Sequence, residues 1–415
     1  MDAMTRRAFL LKSGVAAGTA IVAGATGLTV WDLLATAGTP RPNGEKTLVV
    51  VTLYGGNDGL ATVIPYADPA YHDARSDLAY AADQVLKLDD SAALNPGLKG
   101  LSTLYGQKQL AIIRGVGYPK PDHSHFRSMD IWQTADPVNP TTSGWLGRWL
   151  DGVGGDPRLA VSFEPVLPPL LAGEKSAGAS VAIGANTVVN AATARTVTAL
   201  GQSSAGEPVL QARAAKCFAD LLEVDTMISN VTQTAASSGP VESDKPQATA
   251  TGGARTALQS QLDLVAECVE AGVSTRVFSV SLGGFDFHAE EKDAQERLLG
   301  QLDTALTGFA ERLGKTDNGR DVVVMVYSEF GRRVRANASN GTDHGTASDV
   351  FVLGPHVNGG RFVDAQPSLT DLDAGDLKFN RDFRDIYATM LSDVLAADPG
   401  QILNGWSGRV DGLFL

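Results

Sequence analysis

The stretch that most limits how this chain can fold is residues 321–329, Asp-Val-Val-Val-Met-Val-Tyr-Ser-Glu. Its apolar run from Val322 to Val326 does not alternate with polar residues. A strand that is apolar on both sides has to be covered on both faces, as in the parallel sheets of α/β proteins. The run then breaks into Ser328, Glu329 and Gly331. Ligands of open α/β sheets bind in the crevice beyond the carboxyl ends of the strands, so a carboxylate launched there is a candidate site residue. Two further segments repeat the pattern. Residues 48–53 run into Gly55-Gly56-Asn57-Asp58-Gly59, and residues 276–280 lead to Gly283-Gly284-Phe285-Asp286-Phe287-His288. With residues 110–114 and 350–353 as additional buried strands, the pattern predicts one doubly wound α/β domain over residues 41–415 on a mostly parallel sheet.

Helical spacing of Leu299, Leu302, Leu306, Phe309 and Leu313 predicts a helix over 290–313 packed on that sheet. Shorter helices are expected over 97–105, 145–150, 191–228, 256–271 and 382–397, with Trp145 and Trp149 on one face as core. The span after Asp68-Pro69 reads as loop up to Asn95. Residues 235–253 lack a periodic apolar face and read as a flexible surface loop within the domain.

The amino terminus points to export. Thr5-Arg6-Arg7-Ala8-Phe9-Leu10-Leu11-Lys12 precedes an Ala- and Gly-rich apolar run, and Ala35-Thr36-Ala37 offers a small-x-small cleavage site. Residues 1–37 thus resemble a twin-arginine (Tat) signal, which implies a periplasmic or extracellular protein; the other reading is an uncleaved membrane anchor. No later stretch approaches the roughly 20 apolar residues of a transmembrane helix. A net charge of −13 argues against nucleic acid, whose binding needs a basic footprint. Cys217 and Cys268 fit no zinc-finger spacing and leave open a disulfide or two buried thiols.

Chemistry concentrates at the predicted strand ends. Residues 117–128, Gly-Tyr-Pro-Lys-Pro-Asp-His-Ser-His-Phe-Arg-Ser, carry two of the six histidines. His123 and His125, two apart, cannot share a face of one helix, so both serve one site only from a loop or a helix start. A helix beginning near Ser124 turns its backbone N–H groups outward, which suits an anion. Together with Asp58, Asp286, His288, Glu329, Asp343 and His344, these residues form a mixed carboxylate–imidazole set. Such a set suits Zn²⁺, Mn²⁺ or Fe²⁺, whereas all-oxygen sets suit Mg²⁺ or Ca²⁺. One or two divalent ions are expected, and a pair of ions can clamp both oxygens of an in-line displacement. Arg127, Arg332 and Arg333 are candidate partners for the remaining oxygens of a tetrahedral anion; the last two also read as surface charges.

In order along the chain stand Leu-Val-Val-Val-x-Leu-x-Gly-Gly-Asn-Asp-Gly-Leu, Ser-His-Phe, Gly-Gly-Phe-Asp-Phe-His, Ser-Glu-Phe-Gly-Arg and Thr-Asp-His-Gly. With the leader, these motifs resemble the bacterial family called domain of unknown function 1501, which in turn resembles the alkaline phosphatase/sulfatase superfamily. The resemblance implies a three-layer α/β/α sandwich with two metal ions at the strand ends. It implies Asp58 and Glu329 on one ion, and Asp286, His288 and His344 on the other. It places Ser124, His125, Arg127 and Ser128 where that superfamily keeps its nucleophile. The chain departs from the pattern there, with neither Cys-x-Pro-x-Arg nor Asp-Ser-Ala present. His125 is expected as a metal ligand or as general base for Ser124 or Ser128. The expected function is an exported metal-dependent hydrolase of a small-molecule or polymeric phosphate or sulfate ester. The alternative is a non-catalytic exported binding or assembly protein that keeps the fold.

Overall fold

The computed structural model describes residues 26–27, 33, 45–138, 141–164, 166–181 and 258–415. The leader, the expected helix over 191–228, the expected loop over 235–253 and Cys217 lie outside the described residues. Cys268 is buried, and burial pushes its thiol up to about 12.

The five predicted strands become the middle of a ten-stranded sheet. Its strands are β1 (Thr26–Gly27), β2 (Thr47–Tyr54), β3 (Leu110–Gly117), β4 (Ala160–Ser162), β5 (Ala179–Ser180), β6 (Val277–Gly283), β7 (Val322–Ser328), β8 (Ser348–Leu353), β9 (Arg361–Val363) and β10 (Arg381–Asp382). The spatial order is β1-β5-β4-β6-β2-β7-β8-β3-β9, with β10 also paired to β3. β8 is antiparallel to both its neighbours, and every other pairing in this sheet is parallel. The mostly parallel sheet expected from the sequence is therefore present, with all five predicted strands in it.

Side chains of the central strands alternate between two cores. Val49, Val51, Leu53, Phe278, Val280, Val324 and Val326 pack under α3 (Lys99–Gly106), α6 (Leu258–Glu270) and α7 (Glu291–Leu313). Leu48, Val50, Val323, Met325 and Tyr327 pack on the other face under α4 (His125–Thr134), α5 (Trp145–Gly152) and α8 (Phe383–Asp393). Helices on both faces give the three-layer α/β/α arrangement. Trp145 and Trp149 are core as expected; Trp145 stacks on Tyr387 at 4.3 Å and Trp132 on Tyr327 at 4.9 Å between ring centres.

One expectation is corrected. The span after Asp68 is helical over Pro69–Arg75 (α2), because Asp68 caps it by accepting from the Ala70 amide at 2.9 Å and Pro69 takes the first helical position.

Register fixes the site. Ser328 of β7 lies opposite Leu53 of β2, and Leu53 lies opposite Leu282 of β6. The loops after β2, β6 and β7 thus leave the sheet at one level. β3 runs parallel to them and delivers residues 118–125 to the same edge, while antiparallel β8 is entered there from His344.

Behind this edge, Glu164 follows β4, is 3% exposed and accepts from Ser279 Oγ at 2.5 Å. Burial raises its pKa to about 7 against the lowering from Ser279, Ser281 and Tyr54. A folded pKa above the unfolded value of about 4.5 means that the unfolded chain ionises first as pH rises. This group's contribution is then full below about pH 4.5, declines through about pH 7 and is flat above. Glu164→Gln is expected to remove that decline, on the order of 3 kcal/mol, from urea-unfolding stabilities measured between pH 4.5 and pH 8.

Candidate metal centre

The loop after β2 turns through Gly55, at φ +115°, where a Cβ would lie 2.7 Å from the Asp286 amide. Only glycine lets the β2 and β6 loops approach so closely. Arg332, four residues past β7, then ties three loops together. Its Nε donates to Gly56 O at 2.7 Å, Nη1 to Thr342 O at 3.1 Å, and Nη2 to Gly55 O, Phe285 O and Asp286 Oδ1 at 2.5, 3.2 and 2.8 Å. It is 2% exposed, so it belongs to the interior rather than to the surface.

Around Asp286 Oδ1 the histidines converge. His288 Nε2 and His344 Nε2 each lie 3.1 Å from it, His125 Nε2 lies 3.3 Å away, and the Nε2 atoms of His288 and His344 are 3.0 Å apart. The far nitrogens all face acceptors. His125 Nδ1 meets Glu329 Oε1 at 2.8 Å, His344 Nδ1 meets His123 O at 2.7 Å, and His288 Nδ1 lies 3.5 Å from Asp343 Oδ1. A carbonyl or carboxylate oxygen can only accept, so His125 and His344 carry a hydrogen on Nδ1, and Nε2 of each, facing Asp286 Oδ1, needs either a second proton or a cation between.

Imidazole lone pairs aimed at a carboxylate oxygen repel unless a proton or a cation sits between. In the absence of a metal, protons must serve. Burial lowers the His125 pKa, but hydrogen bonds and charge from Asp286 and Glu329 outweigh it and raise it to about 9. Burial opposes ionisation of Asp286, yet His125, His344 and Arg332 hold it far below the usual carboxylate range. Even so, His125 Nε2 is buried without a properly aligned hydrogen bond. Ligand atoms on a tetrahedral ion with bonds of about 2.0–2.1 Å stand about 3.3 Å apart, close to the spacings found here. Asp286, His125 and His344 offer ligand atoms within 4.8 Å of one another, with His125 and His344 held from behind by acceptors, and this set fits a divalent ion of the zinc type; His288 stands beside it.

The remaining expected site residues are placed differently. Glu329 is 0% exposed; Oε1 accepts from the Gly55 amide at 2.9 Å and from His125, and Oε2 from Ser328 Oγ at 2.9 Å. It stands behind His125 and orients it. Asp58 is 1% exposed and caps the short helix Gly59–Thr62, with Oδ1 accepting from the Leu60 amide at 3.0 Å. Arg75, at the end of α2, grips it with Nη1 on Oδ2 and Nη2 on Oδ1. Burial opposes ionisation of Asp58, but Arg75 prevails and lowers its pKa. Beside it, burial and the Asp58 charge push Glu291 up to about 8.

Ser128 is buried, donating from Oγ to Asp122 O at 2.7 Å and accepting from Tyr118 OH at 3.1 Å. Ser124 is exposed at the α4 N-cap, with Oγ 3.5 Å from the Arg127 amide, and Arg127 is half-buried in the first turn. Arg333 lies outside the cluster, 3.6 Å from Asp376 Oδ1. Beside the histidines, Phe330 packs on His125 and His344 at ring-centre distances of 4.8 and 5.0 Å. Phe330 also lines a cavity of about 450 Å³ with Tyr118, Lys120, His123, Lys378 and Phe379. Sequence reasoning missed Arg75 and the roles of Arg332 and Glu291; the Asp68-Pro69 helix start was the one signal that pointed toward Arg75.

An α/β/α fold with a histidine–aspartate cluster beyond the carboxyl ends of its parallel strands defines the class. Residues 114–413 match the family model described as protein of unknown function (DUF1501), and the chain belongs to that family. No curated protein matches it. Among solved structures it is similar to a protein in the alkaline phosphatase superfamily from Vibrio parahaemolyticus, at 11% identity and TM-score 0.40, covering 94% of this chain and 77% of that one. It is similar to a phosphonate monoester hydrolase from Silicibacter pomeroyi at 10% and 0.36, covering 88% and 78%. A 2-O GAG sulfatase is similar at 10% and 0.30, covering 77% and 66%. Alignments this loose carry no residue roles across.

Arg332→Met removes a guanidinium on which four buried backbone carbonyls depend. It is expected to lower unfolding stability by about 3 kcal/mol, read from chemical denaturation.

Proposed function

We propose that the chain is an exported metal-dependent hydrolase of a phosphate or sulfate ester, with a divalent ion held by His125, Asp286 and His344 and with His288 alongside. The carrying observation is the convergence of three imidazole Nε2 atoms on Asp286 Oδ1 at 3.1–3.3 Å, with the His125 and His344 rings backed by acceptors at Nδ1. Neutral imidazoles and one carboxylate leave a divalent ion cationic, and buried Arg332 adds a further charge behind it. Such a centre favours an anionic ester. A bound ion supplies Lewis-acid activation of water and of an ester oxygen.

The protein's own groups divide the remaining work. Glu329 fixes the tautomer and orientation of His125, and the His123 carbonyl does the same for His344. Arg332 holds Asp286 ionised. Lys120 and Lys378 line the cavity as partners for the remaining ester oxygens, and its walls of Tyr118, Phe330 and Phe379 accept the organic part. Ser124, exposed at the helix start, is the hydroxyl open to substrate, whereas Ser128 is committed to Asp122 and Tyr118. That commitment favours the second reading, a binding or assembly protein that keeps the centre without turnover. Export rests on the Arg6-Arg7 leader; among the described residues no helix is long and apolar enough to cross a membrane.

His344→Ala is expected to weaken Zn²⁺ or Mn²⁺ binding by more than about tenfold, and Glu329→Gln by about tenfold, read by calorimetric titration of the chelator-stripped protein. Hydrolysis of aryl phosphate or aryl sulfate should disappear with chelator and return with metal. A metal-loaded protein inert to both classes would favour the binding reading.

A further inference from the structure

The family resemblance brings two ions, and the donors of this chain fit only one of them. The oxygens assigned to the other ion belong to Asp58 and Glu329. Asp58 Oδ1 accepts from the Leu60 amide and from Arg75 Nη2, and Oδ2 accepts from Arg75 Nη1. Glu329 Oε1 accepts from the Gly55 amide and His125 Nδ1, and Oε2 from Ser328 Oγ. Both carboxylates are 1% exposed or less; Asp58 is held by three donors from the protein, and Glu329 by two at Oε1, with Ser328 Oγ, which also donates to Leu53 O at 2.7 Å, against Oε2.

Arg75 is itself fixed. It is 2% exposed, its Nε donates to Val334 O at 2.7 Å, and Nη2 also donates to Arg333 O at 3.0 Å. Guanidinium does not deprotonate in proteins, and its planar fork matches a carboxylate in two parallel hydrogen bonds. A second metal ion could reach Asp58 only by displacing a buried cation already paired there, and exposing that charge unpaired is strongly unfavourable.

We propose that Arg75 takes the place of a second cation, so that the chain binds a single divalent ion at the histidine cluster. The inference rests on the metal-centre reading above. It makes Arg75 a structural charge rather than a catalytic residue, since it is sealed from substrate. A two-ion clamp on attacking and leaving oxygens is then not available to this chain, and the lysines at the cavity, Lys120 and Lys378, have to meet the far oxygens of the ester.

The test is stoichiometric. The full mature chain is stripped with chelator, loaded with excess Zn²⁺ or Mn²⁺, freed of loose metal by gel filtration and assayed by elemental mass spectrometry. One equivalent per chain is expected, falling to none in His344→Ala. Asp58→Asn combined with Arg75→Met, which removes the ion pair as a neutral swap, is expected to keep its one equivalent. Two equivalents in the native protein overturn the proposal while leaving the histidine centre standing. Loss of the ion from the folded Asp58→Asn/Arg75→Met variant also overturns it, by making Asp58 a ligand. No metal in the native protein removes the metal-centre reading and this inference with it. Should the double variant not fold, the native stoichiometry decides alone.

Discussion

A single buried guanidinium holds the functional edge of this molecule together. Arg332 donates to Gly55, Gly56, Phe285 and Thr342 carbonyls and to the Asp286 carboxylate. Loop carbonyls away from water are costly when unpaired, and arginine has enough fixed donors to satisfy several at once. The interaction therefore does two things with one side chain. It closes the loops after β2 and β6 and the segment before β8 onto each other, and it keeps Asp286 anionic at the point where the histidines meet.

The surrounding arrangement follows the same logic of charges answered by fixed groups. Asp286 is answered by Arg332 and by the histidines gathered around its Oδ1. Glu329 is answered by an amide, a hydroxyl and His125, and Asp58 by Arg75. Two of the three carboxylates are thereby closed, and the third stays partly exposed beside the cavity. Phe330 packs on the His125 and His344 rings and also lines the neighbouring cavity.

The sequence was informative where one physical rule acts locally. Unalternating apolar runs have one stable environment, a strand covered on both faces, and all five such runs lie in the sheet within a few residues of their expected ends. The 3.6-residue spacing of Leu299, Leu302, Leu306, Phe309 and Leu313 likewise led to α7. Polar residues placed directly after those runs had to emerge at one edge, because parallel strands in register end at one level. Asp286, His288 and His344 were legible for that reason, and so was the arrival of His125 at a helix start.

What the sequence determined by itself was the layer architecture, the edge at which chemistry gathers and the residue types available there. Only the tertiary structure decided what each group does, because roles depend on which partner lies within hydrogen-bond reach. Asp58 and Asp286 both follow a Gly-rich strand end, yet one is gripped by Arg75 from a helix that the sequence pattern passed over, and the other faces three imidazoles. Ser124 and Ser128 sit one helical turn apart; one is open and the other is spent on Asp122 and Tyr118. Arg332 and Arg333 are neighbours in the chain, and the fold buries the first as the staple of the site and leaves the second near Asp376. Local pattern carries no information on such distinctions, since the deciding atoms come from residues tens to hundreds of positions away.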